Sequence, residues 1–221
     1  MKRFVFCFVL VVASAIRPTL GQEFTTAQIL DKLDEKAKVF TSLQAALKRV
    51  DTNYGVVQPE QSGKLVISRP KDVPRIFLEV TEPTKMRVLI DKGKGTAYYP
   101  DDNTYRDRNV DSKGETLQLL LIGFGASAET IKKGYTAEAK SREKIGNINA
   151  VVLELKSNAK STEEFPLVKL WIDPQTWTPV QTRLAKGPKT YFDYKYSNVQ
   201  LNKTISDSVF NLDMKKGATK Q

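Results

Sequence analysis

Histidine is absent from this 221-residue chain, and cysteine occurs once, at Cys7. Without histidine the usual general base near neutral pH is missing, and with it the Ser-His and Cys-His nucleophile pairs and the common zinc sites. What remains for catalysis is thin. Glu163-Glu164 and Asp101-Asp102 are adjacent acids, but each pair falls in a polar, turn-like stretch suited to solvent. Gly93-Lys94-Gly95 lacks the rest of a phosphate loop and reads as a hairpin turn. No enzymatic activity, metal or cofactor is expected.

Long apolar runs are also missing. The opening segment MKRFVFCFVLVVASA sets two basic residues before an apolar run from Phe4 to Ala13, far short of the ~20 residues that span a bilayer. That is the pattern of a secretory signal peptide, cleaved after Ala15 or, as the fuller apolar core favours, after Gly21. Residues 1–21 are thus read as signal and 22–221 as one domain, since no repeat, heptad or low-complexity tract divides them. Cys7 leaves with the signal, so an exported chain must hold together by its core alone. Without Lys2, Arg3 and Arg17, thirty-two basic residues face 25 acidic ones, a net charge of +7. Such a balance suits anionic membrane surfaces or acidic partners, and export excludes nucleic acid.

What the chain does have is strand. Leu65–Ser68, Ile76–Val80 and Met86–Ile90 are apolar, β-branched runs separated by Pro70, Pro74, Pro83 and Gly93. The links are too short for crossover helices, so these strands pair antiparallel. Both faces are apolar: Met86, Val88 and Ile90 oppose Leu89, and Ile76, Leu78 and Val80 oppose Phe77. A sheet with one wet face should alternate cleanly, so two covers are needed: helices on one side and a ligand on the other. Arg69, ahead of Pro70, is held extended on the face of Leu65 and Ile67. Its five donors suit either a surface ion pair or carbonyls on a neighbouring segment.

Thr25-Thr26-Ala27-Gln28 reads as a capping box opening an amphipathic helix of about five to six turns, ending near Ala46. Val50 to Gln58 follows as a strand broken at Gly55, and Gly95–Pro100 with Thr104–Val110 as a hairpin. Ser112-Lys113-Gly114-Glu115 caps a helix that is apolar all round, from Leu117 to Phe124, with a short helix after it from Ser127 to Lys133. Strands are expected at Tyr135–Arg142, Ala150–Lys156, Leu167–Asp173, Pro179–Ala185, Thr190–Val199 and Phe210-Asn211-Leu212. In the fifth of these Phe192, Tyr194 and Tyr196 share one face. The fold class is α+β: a large, strongly curved antiparallel sheet with an N-terminal helix and a helical insertion packed on it.

Taken in order, these segments resemble a known family. Gly63-Lys64-Leu65-Val66-Ile67-Ser68-Arg69-Pro70 after a first helix, then Ile90-Asp91-Lys92-Gly93-Lys94 and Ala97-Tyr98-Tyr99-Pro100, are similar to the periplasmic outer-membrane lipoprotein carriers of LolA type. Leu170-Trp171-Ile172-Asp173-Pro174, Tyr196-Ser197-Asn198-Val199-Gln200-Leu201-Asn202 and Val209-Phe210-Asn211-Leu212 resemble that family's closing strands. Lys92-Gly93 replaces the usual Asp-Gly, and Lys215-Lys216-Gly217 the usual Pro-x-Gly, which leaves room for a neighbouring branch.

The resemblance implies a half-open β-barrel whose apolar cavity, roofed by helices, shields lipoprotein acyl chains on the way from an inner-membrane lipoprotein-releasing transporter to an outer-membrane acceptor. It implies a periplasmic monomer. Arg69 would be the arginine that holds the roof shut through backbone carbonyls. The cavity is assigned to Leu33, Phe77, Met86, Val88, Leu117, Leu120, Leu121, Phe124 and Trp171. A lipid- or lipoprotein-sensing regulatory domain on the same scaffold is the alternative.

Overall fold

The computed structural model describes residues 23–69, 74–110, 121–158 and 164–221. The signal segment, Leu117, Leu120 and the helix expected from Ser112 up to residue 120 lie outside the described residues. No helix among those described is long and apolar enough to cross a membrane.

Helix α1 spans Thr26–Val39. Thr25 Oγ1 accepts from the Gln28 N–H at 3.3 Å while Gln28 Oε1 accepts from the Thr25 N–H at 2.9 Å, so the capping box closes both ways. Its buried stripe is Ile29, Leu30, Leu33 and Ala37. The helix stops well before Ala46, because Phe40 is already extended and strand β1 (Ser42–Asn53) begins two residues later. Leu43, Ala45 and Leu47 fit period two as well as helical spacing, and β1 gains a hydrogen-bonded strand on each side, Gln61–Ser68 and Thr190–Leu201. Pairing along both edges outweighs what a longer isolated helix could offer. The turn at Tyr54-Gly55 and the short β2 (Val56–Val57) follow.

Then come β3 (Gln61–Ser68), β4 (Arg75–Glu82), β5 (Met86–Asp91), β6 (Lys94–Tyr99) and β7 (Thr104–Asn109). The short helix α2 (Ala128–Gly134) leads into β8 (Tyr135–Ile145), β9 (Ile148–Ser157), β10 (Leu167–Asp173), β11 (Thr178–Gly187) and β12 (Thr190–Leu201). The two-residue β13 (Thr219–Lys220) comes last. One curved, unclosed sheet results, in the order β13-β7-β6-β5-β4-β3-β1-β12-β11-β10-β9-β8, with β2 against β1. Every pairing is antiparallel except that of β13, which lies parallel to β7. The half-open α+β architecture is therefore present.

The sheet has two differently covered faces. On the inner face Leu65, Ile67, Ile76, Leu153, Leu155, Leu170 and Ile172 pack with α1, Phe40, Leu121 to Ala126 and Ile131. On the outer face Val66, Phe77 and Tyr98 are covered by Phe210 and Leu212. The expected strand at Phe210–Leu212 is thus replaced by a 3-10 turn (Asp207–Val209) and an irregular strap that crosses the outer face before joining β7. The second cover is this strap rather than a ligand. An outer-face patch of Ala150, Val152 and Trp171 completes the packing.

Candidate functional site

The helix-covered inner face is where the chemistry converges. Leu121 O accepts from the N–H groups of Phe124, Gly125 and Ala126 at 3.0, 2.8 and 2.9 Å, a tight turn that leaves Gly125 O facing the sheet. Arg69 continues β3, donating its N–H to Thr41 O at 2.9 Å. Its Nη2 donates to Gly125 O at 2.6 Å, and the guanidinium lies 5.3 Å from the Phe40 ring centroid. A Cβ at Gly125 would stand 2.6 Å from Phe40 Cδ1 and 3.0 Å from Arg69 Nη2, so only glycine lets the turn approach this closely. A charge-assisted hydrogen bond joins sheet and turn.

The covering elements are tied to each other by polar contacts. Ser127 Oγ accepts from the Thr130 N–H and caps α2, and the Ala128 N–H donates to Asp34 Oδ1 of α1 at 3.1 Å. The hydrogen bond from Lys38 and the one from the Ala128 backbone hold the Asp34 carboxyl below its usual range. Thr26 Oγ1 accepts from the Ala139 N–H of β8 at 2.9 Å, anchoring the start of α1. The cover leans on the β8 side of the sheet.

The β4–β7 side is left more open. Ile90 joins the packed cluster, but Leu78, Met86 and Val88 stand outside it and stay partly accessible. Toward the middle of the sheet an aromatic shelf forms: Phe124 meets Tyr196 edge-on at 5.2 Å, and Phe165 meets Phe192 at 5.9 Å. Arg49 lies over Phe192 and Tyr194, held by Asp51 at 2.6 and 2.9 Å. Tyr194 and Tyr196 are only partly covered yet surrounded by protein, and burial pushes both phenols above the ordinary tyrosine value. Accessible surface on a deep, desolvated side chain is what the wall of a hollow presents. Ionisation is disfavoured in the fold, so the two tyrosines contribute stability below the unfolded value of about 10, lost as pH rises through the higher folded values. An alkaline titration followed by phenolate absorbance should therefore show two tyrosines ionising only with unfolding. Full titration before the circular dichroism changes would contradict that placement.

Of the residues assigned from sequence, Leu33, Leu121 and Phe124 are buried together in the inner cluster. Met86 and Val88 lie on the same face, partly accessible. Phe77 and Trp171 do not join them. Alternation turns each to the outer face, Phe77 under the strap and Trp171 against Glu143, to which its indole N–H donates at 2.7 Å. Both are corrected to outer packing residues. The shelf of Tyr194 and Tyr196 joins the site from outside the expected cavity residues, and the period-two grouping of Phe192, Tyr194 and Tyr196 is the signal that points to it. No group of three or more His, Cys, Asp or Glu among the described residues could hold a metal ion.

Comparison with known proteins adds a family. A sequence profile described as "Outer membrane lipoprotein carrier protein LolA" matches residues 40–213. An uncharacterized conserved protein from Thermus thermophilus has the same fold, with TM-score 0.55 and 11% identity over 88% of this chain and 97% of that one. MucB has TM-score 0.52 and 11% identity over 84% of this chain and 62% of its own length. No curated protein sequence matches the chain.

Proposed function

Because the chain belongs to the outer membrane lipoprotein carrier protein LolA family, we propose that it receives lipoprotein acyl chains on the inner face and carries them across the periplasm between the two membranes. The observation that carries this reading is the split inner face. One half is packed under helices, while Leu78, Met86, Val88 and the tyrosine shelf keep apolar surface accessible. Each methylene moved there from water gains about 0.8 kcal/mol. Delivery requires that gain to be given up, so the cover must open at modest cost. The Arg69–Gly125 hydrogen bond supplies a closure of that size, about 1.5–3 kcal/mol.

Leu33, Leu121 and Phe124 then form the underside of the cover, and Met86 and Val88 the accessible floor. Partners are an inner-membrane releasing transporter and an outer-membrane acceptor, and no catalytic step is involved.

The test is titration of the purified protein with a synthetic triacylated lipopeptide against its unacylated form. Binding of the acylated form alone is expected; equal or absent binding would remove the reading. In Arg69→Leu the acylated peptide should dissociate roughly 10- to 100-fold faster, the rate equivalent of the lost hydrogen bond, and the melting temperature should fall by roughly 3–12 °C, at about 2–4 °C per kcal/mol. An unchanged off-rate would leave Arg69 a packing residue. Restoration of outer-membrane delivery in a carrier-depleted strain separates transport from sensing: a chain that binds the lipopeptide but restores nothing is a sensor.

A further inference from the structure

The open side of the inner face has a charged border. Register places Ile76, Ile90, Gly95 and Arg108 in one row across β4 to β7, and Leu78, Val88, Ala97 and Arg106 in the next. Each row thus runs from branched apolar side chains, over a small residue, to an arginine. The small residues lower the floor between the branched and the charged side chains, and Val110 closes it over Gly95, its Cγ2 2.7 Å from where a Cβ would stand. The resulting trough of about 290 Å³ is lined by Val88, Ile90, Ala97, Tyr99, Arg106 and Arg108 among others. That is near the lower end of small-ligand sites, enough for a head group and the first part of one chain.

The two arginines differ from four others of the sheet. Arg49, Arg75, Arg87 and Arg183 each hold a carboxylate. Arg106 donates from Nε and Nη2 to the neutral Gln221 Oε1 at 3.0 and 2.8 Å, and Arg108 has no ion pair among the described residues. Asp107 between them cannot neutralise them, because alternation turns it to the outer face. There Thr96 donates to it at 2.7 Å, and Lys94 and Lys220 lie 3.3 Å from it. Two like charges on one face of β7, about 7 Å apart along the strand, stand beside an apolar floor without an ion pair among the described residues. Guanidinium forks suit the paired oxygens of phosphate or carboxylate.

We propose that this trough binds the anionic end of an amphiphile, a phosphate or carboxylate attached to an acyl chain, with Arg106 and Arg108 on the anion and the chain laid over Ala97 toward Val88 and Ile90. The proposal rests on the acyl-binding reading of the inner face and adds the charge its ligand carries. Tail and head are recognised by neighbouring strands, so the ligand enters in one orientation, head at the sheet's rim.

The test is displacement of a fluorescent apolar probe from the full chain by lysophosphatidylglycerol and by the neutral monoacylglycerol with the same acyl chain, which carries no phosphate. The anionic lipid should bind about tenfold more tightly at low salt, which corresponds to one decade in Kd, and the gap should shrink as salt rises. In Arg106→Gln/Arg108→Gln the gap should close, with the affinity for the neutral lipid unchanged. Arg106→Lys/Arg108→Lys should restore part of it. A control that removes two exposed charges elsewhere, Lys144→Gln/Lys189→Gln, should keep it whole. Equal binding of both lipids by the unaltered protein overturns the proposal and leaves the acyl site standing. So does a gap that survives the double glutamine variant or vanishes equally in the control. Displacement by inorganic phosphate alone would show an anion site indifferent to the tail and also overturn it. If neither lipid displaces the probe, the acyl-binding reading falls as well.

Discussion

Removal of residues 203–221 should lower the melting temperature by roughly 10 °C or more, at about 2–4 °C per kcal/mol for a domain of this size. The strap buries Phe210 and Leu212 on Val66, Phe77 and Tyr98, and each such side chain is worth about 1.5–3 kcal/mol. Polar contacts are lost with it. Arg75 Nη1 donates to Asp207 at 2.6 Å, and its guanidinium sits 4.3 Å from the Phe210 ring. Arg87 Nη1 donates to Leu212 O at 3.1 Å, and the Lys215 N–H donates to the Tyr98 hydroxyl at 3.1 Å. Tyr98 is wholly buried, so stripping the strap opens apolar surface and leaves its hydroxyl with one partner fewer. The shortened chain should also bind additional apolar dye that an acylated ligand on the inner face does not displace. A melting temperature within about 3 °C of the full chain would mean that the outer face is stabilised without the strap.

The same outer face shows how far the sequence could be read. Alternation in Ile76 to Val80 and Met86 to Ile90 revealed that both sides were apolar, and registers such as Ile76↔Ile90 and Leu78↔Val88 follow that alternation. It could not say what lay on each side. Phe77 and Trp171 were assigned to the cavity because an aromatic on a doubly apolar sheet looks the same from either face. The path of the strap, set by contacts more than a hundred residues apart in sequence, decides it for Phe77, and packing against Ala150, Val152 and Glu143 decides it for Trp171. The end of α1 at Val39, short of the expected Ala46, has a related cause. From Phe40 to Leu47 helical and alternating spacings coincide, and the outcome depends on β12, which lies about 150 residues downstream. Turns are easier, being local: Gly146-Asn147, Asp173-Pro174 and Gly187-Pro188 are turn-forming pairs, and each joins two of the expected strands. Arg69 was legible in position and face, since Pro70 and period two fix both, whereas its acceptor Gly125 was not.

Gly63→Val should be among the most destabilising single changes in the sheet, costing about 3 kcal/mol or more, at or beyond the top of the range for overpacking. Where β3 meets β4 the register shifts, Ser62 opposing Glu82 and Gly63 opposing Val80, so that Thr81 is the extra residue of a bulge. A Cβ at Gly63 would lie 1.9 Å from Glu79 O, 2.9 Å from its carbonyl carbon and 3.0 Å from Val80 Cα. These are main-chain atoms, which cannot rotate aside as a side chain can, so the strands must part or slip. Slippage by one residue would turn Leu65, Ile67 and Arg69 to the outer face together, undoing the wall and the closure in one step. Because the first carbon makes the collision, Gly63→Ala should be nearly as damaging as Gly63→Val. By contrast Gly187→Ala, where a Cβ has nothing within 4 Å, should melt like the parent. Chemical denaturation of the three variants decides it: a Gly63→Ala variant as stable as Gly187→Ala would show that the bulge yields easily, and that the aim of Arg69 at Gly125 is set elsewhere.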